Sequence, residues 1–388
     1  MSEVLLEQLQ SIDRDILTGI VRKDQGSKSF ELLNWTVEPI QHVRFDPKGE
    51  LFRFSGLGRD EVEEKSWNLV MKVANRGEKE QGSVTFWKRE VLICQDCFFE
   101  HIAGPLSIPR CYGVVEHADQ TWIWMEYIVE TAPKRWELDH FAFAASSLSH
   151  FNAAYLKGEP LPDFSWLCNQ YFHTMIADNG FWHTLMDVSK PGNAWESTFV
   201  KAHFSERLKQ RINRLWMEKG GLLDSLDKLP QVFCHNDFHR RNLMIRPTSA
   251  GLQEVVTLDW HFSGNGPLGG DLGWLIGGSL FLFEREPFEA IDLFKRCLEA
   301  YQAGLVEEGL EKYLEVARLG CLMSIAIIPG MILPAYTYGF TEMDYYRDIA
   351  ADLFGRDRDD LAVGWAEFTE FCMGCADEAQ KIVAKLDW

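Results

Sequence analysis

The chain has 388 residues, 46% of them hydrophobic and 25% charged, a balance that excludes a disordered or fibrous protein. Lys and Arg number 39 against 58 Asp and Glu, a net charge of −19. Such a surface repels nucleic acid and anionic membranes, so neither is expected as a partner. The nine cysteines form no short-spaced disulfide framework, and the opening MSEVLLEQLQ lacks a basic signal-peptide region; a reducing, cytoplasmic setting is expected.

Residues 1–20 predict an amphipathic helix with Leu5, Leu6, Leu9, Ile12 and Ile16 on one face. Residues 50–56 alternate as a strand and run into a predicted turn at Gly56-Leu57-Gly58-Arg59-Asp60. WNLVMKV (67–73) predicts a buried strand, and 84–100 return to helical spacing. CYGVVE (111–116) and TWIWMEYI (121–128) predict a hairpin. Beyond Glu130 strand signals thin out. Residues 136–156 and 196–219 predict long helices, 231–260 a strand–loop–strand block, and the chain from Asp271 onward a mainly helical end. The uncharged stretch from Leu319 to Thr341 contains Pro329 and Pro334 and predicts a buried helix ending in a loop rather than a membrane span. Cys94/Cys97 and Cys372/Cys375 are three apart on helical patterns and read as core cysteines rather than a shared zinc site.

The densest polar cluster is Cys234-His235-Asn236-Asp237-Phe238-His239-Arg240-Arg241-Asn242, a loop between two apolar runs. VVTLDW then puts Asp259 at the end of a buried strand, where an acid is costly unless paired or bound to metal. Asn242 and Asp259 supply hard oxygen ligands suited to Mg²⁺, and Asp237 a spare carboxylate. Lys72 stands mid-strand among apolar residues and needs an anionic partner; Glu90, on the helical segment that follows, is the candidate. A lysine so held is suited to bind phosphate oxygens. Taken singly, each of these residues has an ordinary structural reading. The order Lys72, Glu90, His235-x-Asp237-x-x-x-x-Asn242, Asp259 is what points to chemistry.

That order resembles the protein-kinase-like fold, and more closely its aminoglycoside phosphotransferase and choline kinase branch. His235-Asn236-Asp237 stands where that branch commonly has His-Gly-Asp, and Leu258-Asp259-Trp260 where it has Ile-Asp-Trp. LSHFNAAYL (148–156) and GPLGGDLGWLI (266–276) also look like segments of that branch, Asp271 bracing the loop. The resemblance covers roughly residues 40–300. It implies an α+β, bilobal protein-kinase-like fold with a small antiparallel-sheet N-lobe (1–125), a connector (126–135) and a larger, mainly helical C-lobe (136–388).

The implied activity is ATP- and Mg²⁺-dependent phosphorylation of a hydroxyl on a small molecule (an aminoglycoside-like compound, sugar, nucleoside or amino alcohol), with GTP as the alternative donor. Adenine would lie against backbone groups of Glu126, Tyr127 and Ile128. Lys72, oriented by Glu90, would grip phosphates, with Gly56 and Gly58 in the phosphate loop. Asn242 and Asp259 would hold Mg²⁺, and Asp237 would accept the hydroxyl proton. His239 would approach the γ-phosphate or order the loop, and His235 would hold the loop to the metal strand. Arg240 and Arg241 are expected on a solvated rim, and Trp260 in packing. Trp166, Tyr171, Phe172, Phe181 and Trp182 read as core or as the wall of a ring-binding acceptor site.

Two departures stand out. Asn236 replaces the usual glycine, and Phe54-Ser55-Gly56-Leu57-Gly58-Arg59 is an incomplete glycine loop. Two rival readings use other features: a non-catalytic nucleotide-binding protein, and a metallohydrolase using His235, Asp237, His239 and Asp259.

Overall fold

The computed structural model describes residues 6, 9–40, 50–77, 81, 83–96, 98, 102, 104–178 and 180–386, apart from the side chains of 177, 178, 180, 181 and 183. The chain divides into two compact units. One comprises Met1–Lys79, Phe86–Ile102 and Ile108–Val129, the other Glu80–Thr85, Ala103–Ser107 and Glu130–Trp388.

The first unit is built on a five-stranded antiparallel sheet. Helix α1 (Arg14–Gln25) leads into β1 (Glu31–Pro39), β2 (Leu51–Arg59) and β3 (Glu64–Asn75); helix α2 (Arg89–Gln95) then precedes β4 (Cys111–Glu116) and β5 (Gln120–Glu126). The strand order is β1-β2-β3-β5-β4. Asp13 caps α1 by accepting the backbone N–H of Asp15 at 2.7 Å, and Gly26, with φ 62°, ends it in the left-handed conformation. The single helix expected over 1–20 is thus interrupted at 11–13: Leu6, Leu9 and Gln10 are also helical, and α1 starts anew at Arg14. Leu9, Ile12, Leu17, Ile20 and Val21 enter the core, whereas Ile16 is exposed and Leu5 lies outside the described residues. Phe52, Phe54, Trp67 and Trp124 fill the core beside them.

Two expectations are corrected in this unit, and one strand is added to them. Strand β1 escaped the sequence pattern because its register slips between Leu32 and Asn34, so buried Leu32 and the half-buried Trp35 and Val37 that pack on the core share no single alternation. The helix expected over 84–100 contracts to α2. The turn expected at Gly56–Asp60 is absent: Gly56 and Gly58 lie inside β2, paired with Trp35 and Leu32 on one side and with Trp67 and Lys65 on the other. A Cβ on Gly58 would stand 2.2 Å from the Phe30 ring, and one on Gly56 2.1 Å from the Asn34 carbonyl oxygen. These glycines let neighbouring chain segments approach, and the phosphate-loop reading has no turn here to rest on. The 111–128 hairpin forms as expected, with β4 on β5.

The second unit is mainly helical. It contains α3 (Leu138–Leu156), α4 (Tyr171–Asp178), α5 (Gly180–Met186), α6 (Thr198–His203) and α7 (Glu206–Asp227). The ribbons β6 (Gln231–Cys234) with β9 (Gly264–Pro267), and β7 (Leu243–Pro247) with β8 (Gln253–Thr257), follow. Helices α8 (Gly270–Phe281), α9 (Ala290–Glu307), α10 (Leu314–Ile325), α11 (Met331–Glu342), α12 (Asp344–Phe354) and α13 (Arg358–Val383) complete it. The single helix expected over 196–219 is two, α6 and α7, with Ser205 capping the second through the N–H of Leu208.

The apolar stretch does not end in a loop at its prolines. The helical run Glu311–Glu342 has a mean hydropathy of 2.0 in its most apolar window, and 89% of that window is buried. Pro329 has no N–H to give, and the chain answers by widening into a π-helical stretch at Ala326–Gly330 before continuing as α11.

The cysteines bring one further correction. Cys94, on α2, is disulfide-bonded to Cys111, the first residue of β4, with Cα atoms 5.9 Å apart. Cys372 and Cys375 are buried and free on α13, and Cys97 lies outside the described residues.

Candidate active site

Strand β6 buries Val232, Phe233 and Cys234 and delivers the polar loop. The first two loop amides, of His235 and Asn236, donate to the two carboxylate oxygens of Asp271 at 2.7 and 2.8 Å. Asp271 stands in the first turn of α8. Burial pushes its carboxyl up to about 7, against the pull of the two amides. Asn236 has a φ of 61°, the left-handed region that glycine or asparagine tolerates. Its side-chain amide donates to the carbonyl of Phe262 at 3.0 Å. That accounts for Asn where the resemblance leads one to expect Gly: the backbone needs a positive φ, and the amide adds a tether.

His235 uses both ring nitrogens. Nε2 lies 2.8 Å from the carbonyl oxygen of Leu258, and Nδ1 accepts the backbone N–H of Asp237 at 3.2 Å. This arrangement requires the neutral Nε2–H tautomer, and burial lowers the ring's pKa to about 4. His235 thus ties the loop to the strand carrying Asp259, as expected, and offers no lone pair to a metal. The metallohydrolase set loses one of its four ligands. Among the described residues, no group of three or more His, Cys, Asp and Glu is placed to hold a metal ion.

The Asp237 carboxylate is held from both sides. Asn242 Nδ2 donates to Oδ2 at 2.7 Å and to the Asp237 carbonyl at 3.0 Å. His239 Nε2 lies 3.2 Å from Oδ1 and is the ring nitrogen placed to donate to Asp237, while Nδ1 is buried with no partner among the described residues. With its Nδ2 spent on Asp237, Asn242 presents Oδ1 as its remaining acceptor.

Asp259 follows β8 with φ 57° and ψ 69°, a costly conformation for a residue bearing a Cβ. Trp260, behind it, is buried. It stacks on Phe233 at 5.8 Å, packs on His235 at 4.6 Å, and donates from Nε1 to the Thr257 carbonyl at 3.2 Å. Packing is its role, as expected. The Asn242 and Asp259 side chains offer hard oxygens and no soft donor, which suits Mg²⁺ and not a thiophilic metal.

In the first unit, Lys72 and Glu90 meet: Nζ is 2.5 Å from Oε2, and both side chains are largely shielded. Strand β3 presents the lysine and α2 the carboxylate. Tyr127 lies under the guanidinium of Arg53, 4.6 Å from its ring centroid. The Glu126 amide donates to the Arg110 carbonyl at 2.9 Å, and Ile128 is buried.

Residues 177–313 match the model of the phosphotransferase enzyme family. The matched segment contains Asp237, Asn242, Asp259 and Asp271, so the resemblance drawn from the loop and metal-strand motifs is borne out where those motifs lie. Solved structures similar to the chain include three kinases. An aminoglycoside phosphotransferase from Alicyclobacillus acidocaldarius is 14% identical, with 88% of this chain and 93% of that one covered and a TM-score of 0.49. An amicoumacin kinase is 10% identical, with 90% and 96% covered and a TM-score of 0.47. An ethanolamine kinase from Plasmodium vivax is 11% identical, with 89% and 83% covered and a TM-score of 0.45. No curated protein matches the chain.

Within the matched segment, both loop arginines depart from the solvated rim expected of them. Arg240 is buried: it pairs with Glu130 at 3.0 Å, donates to the carbonyls of Leu243 at 2.8 Å and Lys134 at 3.2 Å, and covers the Trp136 ring at 4.4 Å. Arg241 pairs with Glu284 at 2.6 Å. The alternation of charge and polarity around them carried no signal of burial; Glu130 and Trp136 lie over a hundred positions away. Arg240→Ala leaves Glu130 shielded without its cation, and we expect a loss of about 3–5 kcal/mol in unfolding free energy, read from urea denaturation. A loss below about 1 kcal/mol would place the arginine back on the rim.

The aromatic set is mostly core. Trp166, Tyr171 and Phe172 are buried, and Trp182 stacks among Tyr336, Phe340 and Tyr346. The Phe181 side chain lies outside the described residues. Tyr171 was legible only as one of these aromatics, yet it lies in the field of the site: burial first, and then the Asp237 charge, push its hydroxyl pKa well up.

Proposed function

We propose that the chain is a small-molecule kinase that transfers the γ-phosphoryl group of ATP to a hydroxyl, with Mg²⁺ as the metal. The observation that carries this reading is the Asp237 carboxylate, fixed by an N–H donor at each oxygen inside a loop that the phosphotransferase family model matches. A carboxylate so held is aimed, and still has a lone pair on each oxygen for an incoming hydroxyl. Asp237 orients the acceptor hydroxyl and takes its proton as the oxygen attacks phosphorus. Asn242 Oδ1 and the Asp259 carboxylate are the ligands for Mg²⁺, which when bound neutralises charge on the phosphate oxygens. Lys72, directed by its pairing with Glu90, binds phosphate oxygens.

In this reading residues 1–125 bind the nucleotide, with adenine against the backbone of 126–128 within the 126–135 connector. Residues 136–388 hold the catalytic loop and the acceptor. His239 serves the loop by its bond to Asp237 rather than the nucleotide. The acceptor class remains the one the resemblance implies: an aminoglycoside-like compound, sugar, nucleoside or amino alcohol.

The test is a thermal-shift titration with ATP, with and without Mg²⁺, followed by transfer of labelled γ-phosphate to a panel of such acceptors. At a hundredfold excess over its dissociation constant, ATP stabilises by about 2.7 kcal/mol, a shift of several degrees. A Mg²⁺-dependent shift and a labelled product support the proposal. A shift with no product on any acceptor points to the non-catalytic reading, and no shift with ATP or GTP overturns nucleotide use altogether.

A further inference from the structure

The Lys72–Glu90 pair is only as well placed as the helix that carries Glu90. Helix α2 spans seven residues, and its N-cap, Lys88, makes no side-chain capping bond. A helix this short has little stability of its own. Glu90 and Cys94 are four residues apart, on one face, and Cys94 is bonded to Cys111 of β4.

Two polar ties from α2 and its cap reach Glu116 of β4. Gln95 Nε2 donates to it at 3.3 Å, and Lys88 Nζ stands 3.9 Å from it. Both reach a half-exposed carboxylate, where such contacts hold weakly. Beside these and the burial of Arg89, Val91 and Ile93, the Cys94–Cys111 bond is the covalent link between the Glu90 helix and β4.

Among the described residues, accessibility sets this pair apart. Cys94 and Cys111 are both partly exposed, whereas Cys168, Cys234, Cys297, Cys321, Cys372 and Cys375 are buried. Burial also raises the pKa of most of those thiols, Cys375 to about 12, which keeps them inert.

We propose that Cys94 and Cys111 form a site of reversible thiol–disulfide exchange with low-molecular-weight disulfides of the glutathione class, and that its redox state sets how firmly Glu90 is held on Lys72. In the oxidising direction one cysteine thiolate attacks the small disulfide, forming a mixed disulfide and releasing one small thiol. The second cysteine thiolate attacks the protein-side sulfur, closing the Cys94–Cys111 bond and releasing the second thiol. Two electrons pass from the cysteine pair to the small disulfide, and excess thiol reverses both steps. With the bond open, α2 keeps Val91 and Ile93 in the core but loses its covalent link to β4, and Glu90 gains freedom to leave Lys72. The link from the helix to nucleotide affinity rests on the kinase reading; the exchange site itself does not.

The experiment equilibrates the full chain in glutathione buffers from fully reduced to fully oxidised. Linked peptides are read by mass after thiol blocking, backbone hydrogen exchange over 89–95, and ATP affinity by thermal shift. We expect a Cys94–Cys111 peptide on oxidation, exchange over 89–95 slowed about tenfold, and ATP bound about threefold more tightly. The Cys94→Ser/Cys111→Ser variant should match the reduced protein in every buffer. Absence of the linked peptide at every ratio overturns the site. A linked peptide with exchange over 89–95 equal to that of the double variant overturns the hold of the bond on the Glu90 helix. Slowed exchange with no ATP shift in either state upholds the site and overturns the kinase reading instead.

Discussion

Asp237→Asn is expected to lower kcat by about a thousandfold or more while leaving the ATP dissociation constant within about twofold. A positioned general base contributes on the order of 10²–10⁴ in rate, and here the residue also aims the acceptor. The substitution is more disruptive than loss of one charge. Both carboxylate oxygens receive N–H donors, Asn242 Nδ2 at one and His239 Nε2 at the other. An asparagine has only one oxygen to offer. If that oxygen keeps Asn242, its amide hydrogens face the His239 N–H, and the ring must change tautomer or turn. The nucleotide ligands proposed here, Lys72, Asn242 and Asp259, keep their own atoms, so binding should survive. Initial rates of label transfer and thermal-shift affinities, measured on the same preparation, separate the two effects. Turnover above about a tenth of wild type would remove Asp237 as the base.

The chemistry of the loop was legible because its residues speak in order. His-x-Asp-x-x-x-x-Asn and the later Leu-Asp-Trp are short and close to one another, and Asp237, His239 and Asn242 find their partners within the loop. His235 tying the loop to the metal strand followed from these motifs, and Asp271 bracing it from the likeness of GPLGGDLGWLI (266–276) to the same branch. What escaped depended on distant partners or on backbone accommodation. Arg240 looked solvated because its partners Glu130 and Trp136 come from another stretch of chain. Gly56 and Gly58 looked like a turn because composition cannot tell a glycine that bends a chain from one that lets Phe30 or Asn34 pass close. Strand β1 was silent because a register slip between Leu32 and Asn34 breaks the alternation of Leu32 with Trp35 and Val37. The prolines near 330 marked a helix end in the pattern, yet the chain absorbs Pro329 in a π-helical stretch, at a depth where an abandoned helix would leave backbone groups unpaired. Cys94 and Cys111, seventeen positions apart, showed no spacing signature at all.

Asp259→Asn is expected to abolish the Mg²⁺-dependent part of ATP binding and to lower kcat by about a thousandfold, with the ligand-free protein unfolding within about 1 kcal/mol of wild type. The choice of asparagine follows from the backbone. Asp259 sits at φ 57°, where asparagine is tolerated, whereas alanine pays about 1–2 kcal/mol for the left-handed conformation. Alanine would thus confound a lost ligand with a strained strand end; Asn removes the charge and keeps the conformation. The neutral amide still presents an oxygen, but Mg²⁺ dehydrates reluctantly and draws its binding energy from carboxylate charge. The sensitive quantity is therefore the difference between ATP shifts with and without Mg²⁺, not the shift itself: whatever Lys72 contributes to phosphate binding persists in both. If that difference survives in Asp259→Asn at wild-type size, the metal is held elsewhere, and the strained backbone at 259 then needs another cause, the seating of Trp260 against Phe233 and His235 being the one the packing offers. If the difference vanishes while the ligand-free midpoint stands, the strain at Asp259 is the conformational cost of presenting a carboxylate to the metal.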